Sequence, residues 1–321
     1  MLEDCRIACA EAPMSSANLG SGFDVASVAL DAFSDRVCVK TCPGSGSIST
    51  QIVGPYSKDV RGDNTAVGAV KNIISKSGFA GPVSVELRVW KGIPVSMGLG
   101  SSGASAAAAA YAASLALNLH LDPIGLVEAA AEGEFFGSGS KHYDNVAASV
   151  LGFYVFITSF SPFNVSRIEV RWPEFLLAVP RVEAKGGKTS FMRSVLPSHI
   201  NLETYVRQLA SLTALVLGVT RHDVKLMKLG MNDVVIVPSR SRFVPCFSEV
   251  SKAVGEEDGI ATISGAGPSI IILPREGESS RELARKVEKA YERCGVEVLV
   301  KNTRPTFGVK PLPSSLWDSI A

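Results

Sequence analysis

The first residues whose types and spacing suit chemistry lie between Lys91 and His120, in KGIPVSMGLGSSGASAAAAAYAASLALNLH. Gly98-Leu99-Gly100-Ser101-Ser102-Gly103 stands directly before a segment so rich in alanine that a helix is expected there. Where a Gly-rich loop opens into a helix, unpaired backbone N–H groups and the positive end of the helix dipole converge on one spot, which suits a phosphate. No lysine follows the last glycine, so this is not a G-x-x-x-x-G-K-[ST] loop. The serine pair can cap the helix, bind phosphate oxygens or hold a magnesium ion. A plain turn before a helix is the alternative reading of the glycines.

Further along, PIGLVEAAAEGEFF (123–136) reads as helix and carries the acids Glu128, Glu132 and Glu134. A solvated helix face accounts for most glutamates, but magnesium bound to a nucleotide takes hard oxygen ligands, commonly one protein carboxylate and a hydroxyl. His142, Asp144 and Asn145 then crowd a Gly/Ser loop ahead of an apolar run, where Asp144 or Asn145 would also serve as a helix cap. Asn18 and Asp24 fall on a loop at one strand end, as ligands or as turn formers. Arg240 and Arg242, in VPSRSRFVP on a loop before a helix, carry planar guanidinium groups that match a carboxylate bidentately, unless both are simply solvated.

Strands are expected over 5–12, 31–41, 47–53, 83–89, 175–179 and 296–301, with a strand, tight turn and strand over 259–274. Helical periodicity marks 65–77, capped by Asp63 or Asn64, then 123–136, 201–217 with Asn201 as cap, 221–229 and 279–293. Lys91 ends the strand that feeds the Gly-rich loop. The chain crosses into a second unit near 161–172, and the tail after Thr303, with its prolines and Trp317, is expected to be irregular and to lie on the surface.

At 321 residues, 46% hydrophobic and 20% charged, there is enough chain for two domains with a filled core. Lysine and arginine number 32 against 31 acids, a formal charge of +1, so no basic field recommends nucleic acid or an anionic membrane as partner. The N-terminus MLEDCRIACAEAP has acids where a signal peptide needs basic residues, and no stretch reaches the length of a membrane span. A cytoplasmic protein is expected. Of the six cysteines, the pairs Cys5/Cys9 and Cys38/Cys42 lie in strand-like segments and Cys246 and Cys294 stand apart. Buried or half-buried unbridged strand cysteines are the reading for that first group, ahead of a four-thiolate zinc site, with disulfides the exception in such a setting.

The string P-x-x-x-G-L-G-S-S-x-A-S, from Pro94 to Ser105, resembles the phosphate loop of the GHMP small-molecule kinases. Three more stretches resemble the homoserine kinases of that family, A-P-x-S-S-A-N-L-G-x-G-F-D from Ala12, S-G-S-x-H-x-D-N-V-A from Ser138 and T-x-x-x-R-x-x-L-P from Thr189, and the glycine turn Ser264 to Ser269 resembles the third GHMP motif. The chain departs from the family at Leu151-Gly152-Phe153, where two glycines are more usual.

The resemblance implies an α+β, two-domain GHMP kinase fold: a ribosomal protein S5 domain 2-like N-terminal domain over 1–165 and a ferredoxin-like C-terminal domain over 166–321, with the site between them. It implies ATP and Mg²⁺, with ATP on Pro94, Gly98, Leu99, Gly100, Ser101, Ser102, Lys91 and Asn64, and the metal on Ser102 and Glu134. L-homoserine is expected on Asn18, Asp24, His142, Asn145, Thr189, Arg193, Arg240 and Gly265, and a homodimer at the family level. Asn145, His142 and Glu134 are the catalytic candidates. Asn145 stands beside the hydroxyl where a related kinase would carry an aspartate base, so the proton is expected to pass to the γ-phosphate, with His142 orienting substrate or exchanging a proton. A kinase for another small alcohol, a decarboxylase of the same family, which the N-terminal motif does not fit, and a non-catalytic sensor of ATP or an amino acid are the competing readings.

Overall fold

A long hairpin starts the chain: β1 (Arg6–Asn18) pairs antiparallel with β2 (Gly22–Pro43) from Arg6↔Thr41 to Asn18↔Gly22, with register shifts after Pro13 and Ala17. This computed structural model describes residues 4–320 apart from 61–63, 79–80, 184–186, 256–258, 276 and 278. Asn18 closes β1 and Asp24 falls inside β2, so both flank the turn expected to carry them. Each holds a left-handed backbone, φ 74° and 58°, which the short polar side chains of Asn and Asp tolerate better than most.

Then come β3 (Ile48–Val53), α1 (Thr65–Lys76), β4 (Val83–Trp90), α2 (Ser101–Ala116), α3 (Pro123–Ser138), α4 (Tyr143–Leu151), β5 (Tyr154–Phe160) and β6 (Phe163–Ile168). Because β2 is long, its C-terminal part pairs with β4 while its N-terminal part pairs with β5. Asn64 caps α1 by accepting from Ala66 N at 2.9 Å; Asp63, the other cap candidate, lies outside the described residues. Neither Asp144 nor Asn145 caps α4; its N-cap residue is His142, which makes no side-chain cap bond.

Small residues on every face of α2 let its backbone sit against the β1–β2 sheet and against α1, α3 and α4 at once. Ala104 to Ala110 are all buried, in one core with Met14, Leu30, Val39 and Leu87 from the strands.

The second unit comprises β7 (Phe175–Pro180), α5 (Lys188–Ser194), α6 (Leu202–Arg221), α7 (Val224–Met231), α8 (Ile236–Arg240), α9 (Phe247–Val254), β8 (Gly259–Ile263), β9 (Ile270–Pro274), α10 (Ser280–Arg293) and β10 (Val298–Thr303). Its sheet runs β10-β7-β9-β8 with every pair antiparallel, the ferredoxin-like order expected. Leu176, Ile270 and Ile272 meet Phe247, Val250, Leu283 and Val287 of α9 and α10 in its core.

The tail corrects the expected division of the chain. After β10 it returns to the first unit, where β11 (Lys310–Leu312) pairs with β1, bridges join Leu30 to Pro305 and Gly152 to Phe307, and α11 (Leu316–Ser319) buries Trp317. The tail is neither irregular nor peripheral, because apolar surface on β1 and β4 needs a cover. A break at 165/166 also cuts β6, which belongs to the first sheet.

The four N-terminal cysteines are bridged, against expectation: Cys5–Cys42 and Cys9–Cys38. Registry explains the pairing, since Cys9 faces Cys38 directly across β1 and β2, with Cα atoms 4.0 Å apart. The fourfold spacing within each C-x-x-x-C repeats that contact two rungs on.

Beside this ladder Glu11 receives Lys310 at 3.1 Å, Arg36 at 3.5 Å and the Ser34 hydroxyl, tying β11 to the hairpin. Burial pushes its carboxyl pKa up, but the bonds from Ser34 and Lys310 and the two charges outweigh that and hold it below 4.5. A depressed carboxyl contributes stability that is present above its unfolded pKa and lost as pH falls through its folded one. Glu11→Gln is therefore expected to lower Tm at pH 7, by an amount matching about 1 kcal/mol, with the difference from the parent protein closing as the pH falls through the lowered pKa of this carboxyl. Thermal melts of both proteins from pH 3 to 8 check this.

Candidate active site

The Gly-rich loop takes its shape from a buried ion pair behind it. Asp35, on β2 and fully buried, pairs with Lys91 and accepts from the backbone N–H groups of Gly92 at 2.9 Å and Ile93 at 3.0 Å. Lys91 also donates to Ser101 O at 3.0 Å and Ser105 Oγ at 2.8 Å, and Ser105 donates to Asp35. Lys91, expected beside the nucleotide, lines the cavity over the loop but has its ammonium bonded inward, whereas Pro94, expected on the nucleotide, is buried and absent from the cavity wall. Both shape the loop.

In front of that network the loop is nearly all backbone. Gly98 and Gly100 have φ of 75° and 63°; a Cβ on Gly98 would sit 2.2 Å from Ser264 O, and one on Gly100 1.9 Å from Ser15 Oγ. Only glycine fits these approaches. Gly100 is the N-cap residue of α2 and supplies no side-chain cap, so the first-turn N–H groups stay available to an anion. Gly98, Gly100 and Gly103 have G-x-G-x-x-G spacing, but β5, the next strand after the loop, pairs antiparallel with β2, so no dinucleotide-type βαβ unit encloses them.

A cavity of about 450 Å³ opens over the loop and runs to the second unit. Asn18, Asp24, Asn64, Gly98 to Ser102, Glu134, His142, Asn145, Thr189, Arg193, Arg240 and Gly265 all line it. Arg242 does not; it stacks on Phe243 instead.

At one end α3 brings Glu134 to α2. Only 1% exposed, Glu134 accepts from the Ser102 hydroxyl with one oxygen and meets His142 Nδ1 at 2.7 Å with the other. That hydrogen bond, with the charges of Glu134 and Asp144, raises the His142 pKa against burial and Arg193. Asn145 is fixed from two sides: Ser15 donates to its Oδ1 at 3.0 Å, and Asp144 accepts from its Nδ2 at 3.1 Å. Burial, then the nearby Asp24 charge, push the Asp144 carboxyl up to about 6.

At the other end two arginines meet one aromatic ring. Arg193, on α5, pairs with both oxygens of Asp24 at 2.9 and 3.1 Å. Arg240 ends α8 buried and donates to Met192 O at 2.9 Å and Gly265 O at 3.3 Å. Their guanidinium carbons stand 5.3 and 5.2 Å from the centroid of Phe23, a cation–π contact for each. Asn18 joins the units by donating to Gly265 O at 3.0 Å and accepting from Asp24 N at 3.1 Å.

Four contributors were missed from sequence: Ser15, Phe23, Asp35 and Lys188. Lys188 lines the cavity on α5 with no hydrogen bond or ion pair among the described residues, and burial pushes its pKa down to about 7. Ser15 and Phe23 lie inside the motif that starts at Ala12, so their place in it was a usable signal; Asp35 and Lys188 had none.

A family model described as GHMP kinases N terminal domain matches residues 64–153, the span holding the loop, Glu134, His142 and Asn145. The chain is 43% identical over 291 residues to the homoserine kinase of Pyrobaculum neutrophilum, covering 90% of this chain and 95% of that protein. It is 39% identical over 297 residues to the homoserine kinase of Aeropyrum pernix, covering 90% and 94%. The crystal structure of homoserine kinase from Cytophaga hutchinsonii superposes with a TM-score of 0.86 at 28% identity, over 97% of this chain and 98% of that one.

Removing one partner of a buried ion pair strands the other charge, which typically costs about 3–5 kcal/mol. Lys91→Met is expected to destabilise the protein on that scale in chemical denaturation, and the double variant Asp35→Leu/Lys91→Met by much less. Equal losses in the two would show that the pair itself is not what holds the loop.

Proposed function

The chain belongs to the homoserine kinases of the GHMP kinase family, and from that membership we propose how its residues carry out ATP-dependent phosphorylation of the L-homoserine hydroxyl to O-phospho-L-homoserine in threonine biosynthesis. One observation carries the reading: a single cavity joins an uncapped helix start to a cluster of opposite charges, Asp24 beside Arg193 and Arg240. The first suits phosphates and the second a zwitterion. A cytoplasmic setting, where ATP is plentiful, goes with it.

The phosphates of ATP rest on the backbone N–H groups of Gly98 to Ser102, with Asn64 and Leu99 nearby. Ser102 and Glu134 already share a hydrogen bond, so a hydroxyl and a buried carboxylate, both hard oxygen donors, are close enough to serve one Mg²⁺. Bound there, the ion neutralises charge on the phosphates.

Homoserine's ammonium goes to Asp24 and its carboxylate to Arg193 and Arg240, with Asn18, Thr189 and Gly265 closing the pocket. Asp24 and Arg193 already neutralise each other. The amino acid therefore exchanges one ion pair for two, and neither side chain has to enter the pocket as a bare charge.

Phosphoryl transfer asks the protein for alignment and charge stabilisation more than covalent chemistry. Asn145, clamped by Ser15 and Asp144, orients the hydroxyl; having no useful basicity, it leaves the proton to pass to a γ-phosphate oxygen as the new P–O bond forms and ADP departs. His142 holds the second oxygen of Glu134, fixing the carboxylate that faces Ser102. Lys188, the lining cation without a partner among the described residues, takes up charge on the transferring group.

A coupled ADP-release assay with L-homoserine, D-homoserine, L-threonine, mevalonate and galactose is expected to show turnover on L-homoserine alone. Asp24→Ala and Arg240→Ala should each raise its KM by roughly 30–100-fold, the loss of about 2–3 kcal/mol from a charged hydrogen bond, with the KM for ATP unchanged. Phosphorylation of mevalonate or a sugar instead would overturn the substrate assignment.

For Lys188 the sign follows from its lowered pKa. Its ammonium predominates below about pH 7 and is lost as pH rises through that value, so kcat/KM for ATP should fall on the alkaline side with an apparent pKa near it. Bound phosphate favours the charged form and displaces the limb in kcat to higher pH. The pH–rate profile of Lys188→Met should lack this limb, and Lys188→Arg should keep activity above pH 8; an unchanged limb in Lys188→Met would assign it to another group.

A further inference from the structure

Outside the active site, the remaining two cysteines meet where α9 and α10 pack together. Cys246 is the N-cap residue of α9 and Cys294 the C-cap residue of α10, 48 positions apart in sequence (294 − 246). The Cys294 thiol lies within hydrogen-bonding reach of Cys246 and also donates to Ala290 O at 3.3 Å. Cys294 is exposed and Cys246 half-buried. The hydroxyl of Tyr291, one turn before the end of α10, is buried beside both sulfurs with no hydrogen-bond partner among the described residues. Two thiols and a phenol thus share a spot that no part of the phosphoryl-transfer site uses, in a chain that closes its other four cysteines into disulfides.

We propose that Cys246 and Cys294 are a dithiol modification site that a small-molecule disulfide of the glutathione type oxidises to a third intrachain disulfide, fastening the start of α9 to the end of α10.

The order of events follows from exposure and from the thiol chemistry. Cys294, open to solvent, attacks one sulfur of the oxidant as thiolate, forming a mixed disulfide and expelling the first small thiol. Cys246 then attacks the Cys294 sulfur and expels the second. Two protein thiols lose two protons and two electrons, and the oxidant's S–S bond becomes two thiols. Burial first, then the contact with Cys294, push the Cys246 thiol up to about 12. Burial, the larger influence, remains after Cys294 is capped, so Cys246 attacks because its target is held beside it.

The two residues are well placed to move. Each sits at a helix end rather than inside a helix, and Cys246 holds φ 59° in the left-handed region. Two residues before it, Val244 ends the turn that follows Arg240, so the cross-link would brace the segment carrying that arginine without touching the cavity.

The test incubates the native protein with oxidised glutathione, alkylates remaining thiols, and maps peptides without reduction, alongside thermal melts. The expected result is a linked Cys246–Cys294 peptide, loss of both alkylatable thiols, and a rise in Tm of a few degrees with kcat and KM unchanged. Cys246→Ser and Cys294→Ser should each abolish the rise, and Cys246→Ser should retain glutathione on Cys294. A parent protein that keeps glutathione on Cys294 while Cys246 is still alkylated, or one in which both thiols remain alkylatable, overturns the proposal. These readouts do not depend on which alcohol the enzyme phosphorylates.

Discussion

Much of the active site hangs on one buried carboxylate. Asp35 gathers an ammonium, a hydroxyl and two backbone N–H groups where β4 gives way to the loop. An isolated buried charge is strongly unfavourable, so these four donors are under constraint to stay together. Holding them fixes where the chain leaves the sheet, and thereby where Gly98 and Gly100 turn and where α2 begins. A phosphate site made of backbone has no side chains to adjust; its precision has to come from behind.

The loop is held from the front by the second unit. Ser264 donates to Gly98 O at 2.8 Å and its Oγ meets the Ser16 hydroxyl at 2.9 Å, Ser269 N donates to Met97 O at 3.2 Å, and Gly265 N donates to Ala17 O at 3.1 Å. Three stretches far apart in sequence, near residues 16, 98 and 265, therefore share one set of hydrogen bonds. The glycine turn from Ser264 acts as a strut between the units as much as a wall of the pocket.

Local patterns were readable in the sequence. The alanine run announces α2, Asn64 and Asn201 cap the helices they precede, and most residues quoted from separated motifs converge on one cavity. Long-range consequences were not. Asp35 reads as one more acid in an alternating strand, and nothing local says that Lys91 turns toward it and away from solvent. The cysteine pairing needs the β1–β2 register, and the place of the tail needs knowledge that β1 has an uncovered edge. Lys188 reads as a solvated lysine; its burial comes from elements that meet only in the folded chain.

The position of β11 has a bearing on synthesis. Residues 310–312 form the strand beside β1, so the first sheet lacks a neighbour strand until nearly the whole described chain has left the ribosome. Domains emerging N-terminus first usually fold in that order. Here the edge of β1 waits for its partner while the second unit, which lies between β6 and β11 in sequence, is made. The Cys9–Cys38 bridge spans only 29 positions within the initial hairpin and can close long before that. A covalent hairpin would then hold the edge of β1 in register through the interval, when an unpaired strand is most open to pairing with another nascent chain.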